Sequence, residues 1–373
     1  MLFARGLFLL ASLVPVVAHA APTCTNAALF AGNPTFSDGM AKPDEGKGVL
    51  EDPPLGWRTL NFRDKYLVTT TGQEIWYTDV SAPKPVIKKL AGNTEASQQW
   101  LSGPCTKARF SLIWGVTFLK DGSMVIADTA ALGLAKITDP FGPKCNVTFL
   151  AGQMKDTTGA FQDAKKITGD VDGPGASAKF TSVKWPVAGD DDSVYFIDAD
   201  KKLKKMANDA AHTISTVAKT PGDWVHAMAW LNGKIYYIGH ATNLFFSEVD
   251  PATGETREIF KGRSDVFGAS SSDAIAFSGL ASDGTGFYTM FRGAIYYLPT
   301  TGKPQKVAGK GGTPFSFPSG YDPKAPHKAD ELVLIGLQRH NIAGSNNFLA
   351  YQDGHLYVSA KVGTPYVTKI ACK

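Results

Sequence analysis

An all-β chain, a six-bladed β-propeller of four-stranded antiparallel blades, is predicted by three observations. Strand-like runs come in sets of four, a closing signature recurs six times, and the last set lacks a strand that stands instead at the N-terminus. The unit is clearest over 169–220, which reads GDVDGPGASAKFTSVKWPVAGDDDSVYFIDADKKLKKMANDAAHTISTVAKT. A glycine-rich loop leads into four brief runs at 185–188, 194–198, 203–206 and 214–218. Runs this short, rich in Val, Ile, Tyr and Phe and bounded by Gly, Asp and Asn, are strands.

The closing signature is LFAG at 29–32, LAG at 90–92 and 150–152, VAK at 217–219, FKG at 260–262 and VAG at 307–309. Before each later closing the four-strand pattern persists: 57–62, 66–69, 74–78 and 86–90 in the first unit, and 115–119, 124–128, 134–138 and 147–150 in the second. The fourth unit runs 227–231, 234–238, 244–249 and 256–260; the fifth runs 279–282, 286–290, 294–298 and 305–307. Asp121-Gly122, Asn232-Gly233 and Asp283-Gly284 mark hairpin turns. Such repetition is the signature of a propeller. The last unit offers only 348–352, 355–359 and 366–371, so the strand at 27–31 is expected to complete the sixth blade and close the ring.

The first twenty residues read as an export signal: Arg5, an apolar run over 6–17, then Ala18-His19-Ala20. A secreted or periplasmic protein is therefore expected, with one propeller domain over 21–373. Ala21-Pro22-Thr23 before Cys24 lacks the small residue of a lipid-anchoring site, and no later segment is apolar enough to span a bilayer. The net charge of +4 falls to about +3 once Arg5 leaves, and the basic residues are scattered, which excludes a nucleic-acid role. The lysines of 201–205 read as a solvated blade edge. Four cysteines in an export context imply disulfides. Antiparallel pairing of the first and last strands places Cys24 beside Cys372, and Cys105 and Cys145 pair by elimination. The second bridge requires the loop over 93–109 to run down the side of its blade.

The second and third units resemble NHL repeats. The resemblance rests on GDVDGPGASAKF and its counterpart CTKARF at 105–110, on Trp114-Gly115-Val116, on VIAD and YFID ending at Asp128 and Asp198, and on LAKI and KLKKM followed by VTFLAG and ISTVA. It implies a six-bladed propeller and leaves the function open, since this fold serves receptors, scaffolds, lyases and hydrolases.

Long loops at 93–113, 153–184 and 310–347 all enter blades, so one face should be loop-rich and its central mouth is the candidate site. The first residues of the innermost strands should ring it: Trp57 and Arg58, Trp114, Trp185, Trp224 and His226, Ser278, and Asn347. Two readings stand side by side, an aromatic-lined pocket for a sugar, peptide or cation, and rings packed between blades. The repeat resemblance also brings a zinc site of three histidines, as in the peptide-amidating lyases. His226, His240 and His340 are the residues available, but the matching positions of other blades hold Trp, Ser and Asn, which disfavours a catalytic zinc. Asp170 and Asp172, and the run Asp190 to Asp192, supply oxygens of the kind a structural calcium takes, although both are also ordinary turn chemistry. Asp128 and Asp198 read as turn caps. No Gly-x-Ser-x-Gly elbow or phosphate-cradling loop is present, and Asn146-Val147-Thr148 is a sequon with meaning only in a eukaryotic source. The expected function is binding of a small molecule, glycan or protein partner by a monomer, without catalysis; a metal-dependent lyase or hydrolase is the rival.

Overall fold

A computed structural model describes residues 20–32, 59–93, 100–153, 168–199, 201–220, 224–240, 243–262, 267, 277–311, 318–334, 349–360 and 366–373. The N-terminal strand β1 (Cys24–Gly32) stands apart from the first blade, formed by β2 (Thr59–Arg63), β3 (Tyr66–Thr70), β4 (Glu74–Asp79) and β5 (Lys88–Gly92). Blade 2 holds β6 (Gly103–Pro104), β7 (Ile113–Phe118), β8 (Met124–Asp128), β9 (Gly133–Thr138) and β10 (Asn146–Gly152). Blade 3 holds β11 (Lys184–Ala188), β12 (Val194–Asp198), β13 (Lys202–Met206) and β14 (Ile214–Lys219). Blade 4 runs β15 (Trp224–Leu231), β16 (Lys234–His240), β17 (Leu244–Val249) and β18 (Thr256–Gly262). Blade 5 runs β19 (Phe277–Ser282), β20 (Gly286–Phe291), β21 (Ala294–Pro299) and β22 (Gln305–Ala308). Blade 6 joins β23 (His327–Lys328), β24 (Leu349–Gln352), β25 (His355–Ala360) and β26 (Tyr366–Cys372) with β1.

The innermost strands β2, β7, β11, β15, β19 and β24 touch in that order, and β24 returns to β2. The ring is closed, and the fold is a six-bladed β-propeller. Its closure is made by β1 on β26, with Cys24 opposite Cys372 and a bridge between them at a Cα separation of 4.0 Å.

The closing signature has a structural cause. In all six blades the outermost strand of the four carries a one-residue bulge, at Phe30, Leu90, Leu150, Val217, Ile259 and Val307. The repeated apolar residue is the bulge itself, which increases local twist where the chain leaves the blade. This register aligns Ile259-Phe260-Lys261, not FKG, with the LAG of the other blades. The following glycine is required at two closings: Gly92 and Gly152 have φ of 98° and 113°, and an added Cβ would lie 2.2 Å from the Gln73 carbonyl oxygen and 2.4 Å from that of Leu132.

Apolar clusters fill the spaces between blades. Leu119, Val125 and Leu134 of blade 2 meet Phe180, Val194 and Phe196 of blade 3; Tyr195 and Ile197 of blade 3 meet Val225 and Tyr237 of blade 4. Phe110 and Phe180, from the two matching entry loops, are fully buried.

The path that the Cys105–Cys145 bridge requires of the loop over 93–109 is taken by all three long entering loops. Their described parts run down the outer edges of the blades they enter instead of only decorating one face. Gly103 and Pro104 pair with Val147 and Asn146, Gly173 bridges Ile214, and His327 and Lys328 pair with Ala27 and Asn26. Each loop thereby satisfies backbone groups on an exposed edge. In blade 2 this path brings Cys105 to Cys145, with Cα atoms 5.4 Å apart and the Cys105 N–H donating to the Cys145 carbonyl.

The lysine run 201–205 departs from the solvated-edge reading. Lys204 is wholly buried and lies 2.8 Å from Asp170 and 2.6 Å from Asp172, both on the glycine-rich loop. Burial opposes its charge, but the two carboxylates hold its pKa above the ordinary lysine value. Lys202 pairs with Asp170, and the Thr216 N–H donates to Asp172. The loop is therefore pinned to its blade by ion pairs.

Candidate functional site

The site is built on bulges in the innermost strands. Trp114 is the extra residue between Ile113 and Gly115 of β7, and His226 is the extra residue between Val225 and Ala227 of β15. β11 has the same irregularity between Lys184 and Val187, and Trp185 there has φ of 55°. A bulky side chain in the left-handed region is an outlier that its surroundings must hold in place. Here the Trp185 indole N–H donates to the Val225 carbonyl of the next blade at 3.1 Å. Each bulge re-aims a side chain at the rim. Gly115 lets blades 2 and 3 approach closely, since a Cβ there would lie 2.4 Å from Pro186 Cδ.

These strands bring Trp114, Trp185, Trp224, His226 and His240 into one arc across blades 2, 3 and 4. Trp57, Arg58, His340 and Asn347 lie outside the described residues, and Ser278 is described only as backbone in β19. The two readings of the tryptophans divide between individual residues. Trp185 is buried in the cluster between blades 3 and 4, where it packs with Tyr195 and Val225. Trp114 is half-buried, 5.9 Å from Trp185 between centroids. Trp224 is 43% exposed. Thr59, Asn61, Val116, Trp185 and Met228, among others, line a small pocket between the innermost strands of blades 1 to 4.

One member of the arc escaped sequence reading. Lys184, the first residue of β11, is only 7% exposed, and its Nζ sits 4.5 Å above the Trp114 ring as a cation–π pair. Its only sequence signal was its place beside Trp185, which does not separate it from a surface lysine.

The histidines form a coupled pair. His226 Nε2 lies 2.6 Å from His240 Nδ1, so one ring donates and the other accepts. Trp224 lies parallel to His240 within 8°, at 6.4 Å between centroids, and His240 stacks on His226 at 4.8 Å. Burial, then the neighbouring His240 and Lys184, push the pKa of His226 down to about 3. His226 is thus neutral at ordinary pH. Because its folded value is depressed, its contribution to stability is full above the unfolded value near 6.5 and is lost as pH falls toward 3. Through this group the protein should lose stability steadily as pH falls from 6 to 4. Urea unfolding at pH 7 and pH 5 should show a smaller drop in His226→Gln than in the unaltered protein; equal drops would assign the pH dependence elsewhere.

Of the three candidate zinc ligands, His226 and His240 lie side by side, and His340 lies outside the described residues. Two nitrogens on one tetrahedral zinc stand about 3.3 Å apart, whereas the facing nitrogens of His226 and His240 share a hydrogen at 2.6 Å. Among the described residues no group of three or more His, Cys, Asp or Glu is placed to hold an ion. The acidic runs considered for calcium are otherwise engaged. Asp170 and Asp172 face lysines, Asp191 accepts from the Ser193 N–H and hydroxyl, and Asp192 accepts from the Lys120 N–H.

No protein-family model matches the sequence, and no curated protein matches it. Solved structures do. An auxiliary nutrient binding protein from Bacteroides thetaiotaomicron superposes with a TM-score of 0.58 at 13% identity, over 93% of this chain and 76% of that one. A second auxiliary nutrient binding protein, from Bacteroides ovatus, gives 0.57 at 11% identity over 94% and 77%. A gluconolactonase from Xanthomonas campestris gives 0.50 at 10% identity over 93% and 100%. At these identities the likeness is one of fold alone. The chain shares a six-bladed propeller with them.

Proposed function

We propose that this chain is an exported, NHL-type propeller that binds a small ligand, glycan or protein partner at its central mouth without transforming it. The observation that carries the reading is Trp224, a large aromatic left 43% exposed at the rim and backed by a hydrogen-bonded histidine pair. Indole offers a flat apolar face with one polar atom, which suits a binding platform. Two disulfides and the leader-like first twenty residues support export, and no described helix is long and apolar enough to cross a membrane. Two propellers of like fold are named as auxiliary nutrient binding proteins, which is in keeping with this reading.

The rival, a metal-dependent lyase or hydrolase at the mouth, would have to open the His226–His240 contact. The test is a ligand panel of sugars, amino acids and short peptides against the mature, oxidised, untagged protein. A binder should raise the melting temperature and alter tryptophan emission, and both effects should vanish in Trp224→Ala. Stoichiometric zinc that disappears in His226→Ala, with no panel binding, would overturn the reading in favour of the rival.

A further inference from the structure

A group of oxygens outside the arc gathers at the seam between blades 5 and 6. The hairpin turn from β19 to β20 holds Asp283, whose Oδ1 accepts from the Thr285 N–H and hydroxyl at 2.8 Å each and from the Gly286 N–H at 2.9 Å. These bonds all fall on one oxygen; among the described residues Oδ2 accepts none. Tyr288 of β20 and Tyr297 of β21 stand directly opposite each other, both fully buried, and Tyr351 of β24 stacks on Tyr288 at 5.4 Å between centroids. The Thr285 hydroxyl gives its hydrogen to Asp283, so the Tyr297 O–H donates to Thr285 Oγ1 at 2.9 Å. This phenol reaches so far into the turn that a Cβ on Gly286 would lie 2.4 Å from it. The Tyr288 hydroxyl differs: it is buried beside Asp283, yet among the described residues it closes no hydrogen bond of ordinary geometry. A buried hydroxyl in that position is destabilising unless a further group completes its shell.

We propose that this seam binds a hard monovalent cation, sodium or potassium, between the Asp283 carboxylate and the hydroxyl oxygens of Tyr288 and Tyr297. The donor set selects the ion. Oxygen ligands suit hard cations, and the nitrogen and sulfur that favour zinc are missing from the set. One carboxylate balances one positive charge, whereas tight calcium sites draw on several.

The phenols add ligands without adding charge. Burial above all, then the charge of Asp283, holds the Tyr288 phenol above its ordinary pKa. Burial first, with the same carboxylate contributing, raises Tyr297 and Tyr351. Each therefore stays protonated and offers oxygen lone pairs. The Tyr297 hydrogen is committed to Thr285, which leaves its lone pairs for the ion. Asp283 and Tyr351 are half-buried, so the ion enters from solvent on their side. Through the Tyr288–Tyr351 stack it braces blade 5 against blade 6, the blade that closes the ring.

Thermal unfolding of the mature, oxidised protein in sodium, potassium and N-methylglucamine chlorides tests the site, each at about 0.1 M so that general screening is equal. Sodium or potassium should raise the melting temperature by about 2 °C over the organic cation. Tyr288→Phe keeps the ring and its stack, and Asp283→Asn keeps the acceptor at Oδ1; each should erase that difference. Equal melting temperatures in the three salts, or a difference that survives Tyr288→Phe, would overturn the inference. If Tyr288→Phe costs the same in every salt, the hydroxyl bonds to Asp283 with no ion between them. If it costs nothing in any salt, the hydroxyl has no partner at all. Either result overturns the inference, as does stabilisation by calcium with none by sodium or potassium.

Discussion

Replacing Cys24 and Cys372 with serine is expected to cost this protein about 5 kcal/mol, more than loss of Cys105–Cys145. The first bridge spans 348 residues of sequence and the second 40. Chain entropy alone then assigns about 6 kcal/mol to the first and about 4 kcal/mol to the second, with native strain and residual structure lowering both. Topology works in the same direction. The ring is held shut by one strand pair, β1 on β26, and the bridge ties the open end of that pair. The backbone there continues into hydrogen bonds between Thr23 and Lys373, which close the ladder beyond the disulfide. Urea unfolding of the two double-serine variants decides it. A larger midpoint shift for Cys105→Ser/Cys145→Ser would mean that the ring does not open first at blade 6.

Much of this architecture was legible because propeller blades repeat. Turn dipeptides such as Asn232-Gly233, both at positive φ, fix hairpins locally. The strand count then left a blade short, and β1 supplied it. The pairing of Cys24 with Cys372 followed from strand direction alone. What the signature residues do was not legible. A bulge at Leu150 depends on two strands meeting out of step, and one strand's sequence does not show its partner's register.

The site was legible in part, and the reason is again partnership. Tryptophans at strand starts were visible, but whether each packs or faces solvent depends on the adjacent blade. Trp185 donates to Val225 one blade away, while Trp224 stands at an exposed rim. Lys184 and Lys204 look alike in sequence. One is buried against an indole, the other between two carboxylates of a loop over thirty residues upstream. Burial of a charge is decided by what covers it, and the covering groups here come from distant positions.

The Asp128→Ala variant should be nearly as costly as loss of the ring-closing bridge, at about 4 kcal/mol. Asp128 is fully buried, and its carboxylate accepts from the backbone N–H groups of Ser111 at 2.7 Å, Leu112 at 2.9 Å and Ala131 at 3.0 Å. Removing it orphans three buried donors, each worth about 1–3 kcal/mol when left unpaired. Asp198 repeats the arrangement in blade 3 with two donors, Thr181 and Ser182, so Asp198→Ala should cost less. The sequence reading of both as turn caps thus understates them: they tie the entering loop to the blade. Burial raises the pKa of Asp128 above the usual carboxylate range, against the pull of its donors. A raised folded value means that this group's contribution is fully present below the unfolded value and fades as pH rises through the folded one. Asp128→Asn keeps one acceptor and carries no charge, so it should cost less than Ala and lack that pH dependence. The loop it holds leads through Ser111 and Leu112 into β7 and Trp114, so the Ala variant should also loosen the Lys184–Trp114 contact and weaken binding at the mouth. Parallel urea and ligand titrations test both effects. An Ala variant as stable as Asn would show that the three N–H groups find other acceptors.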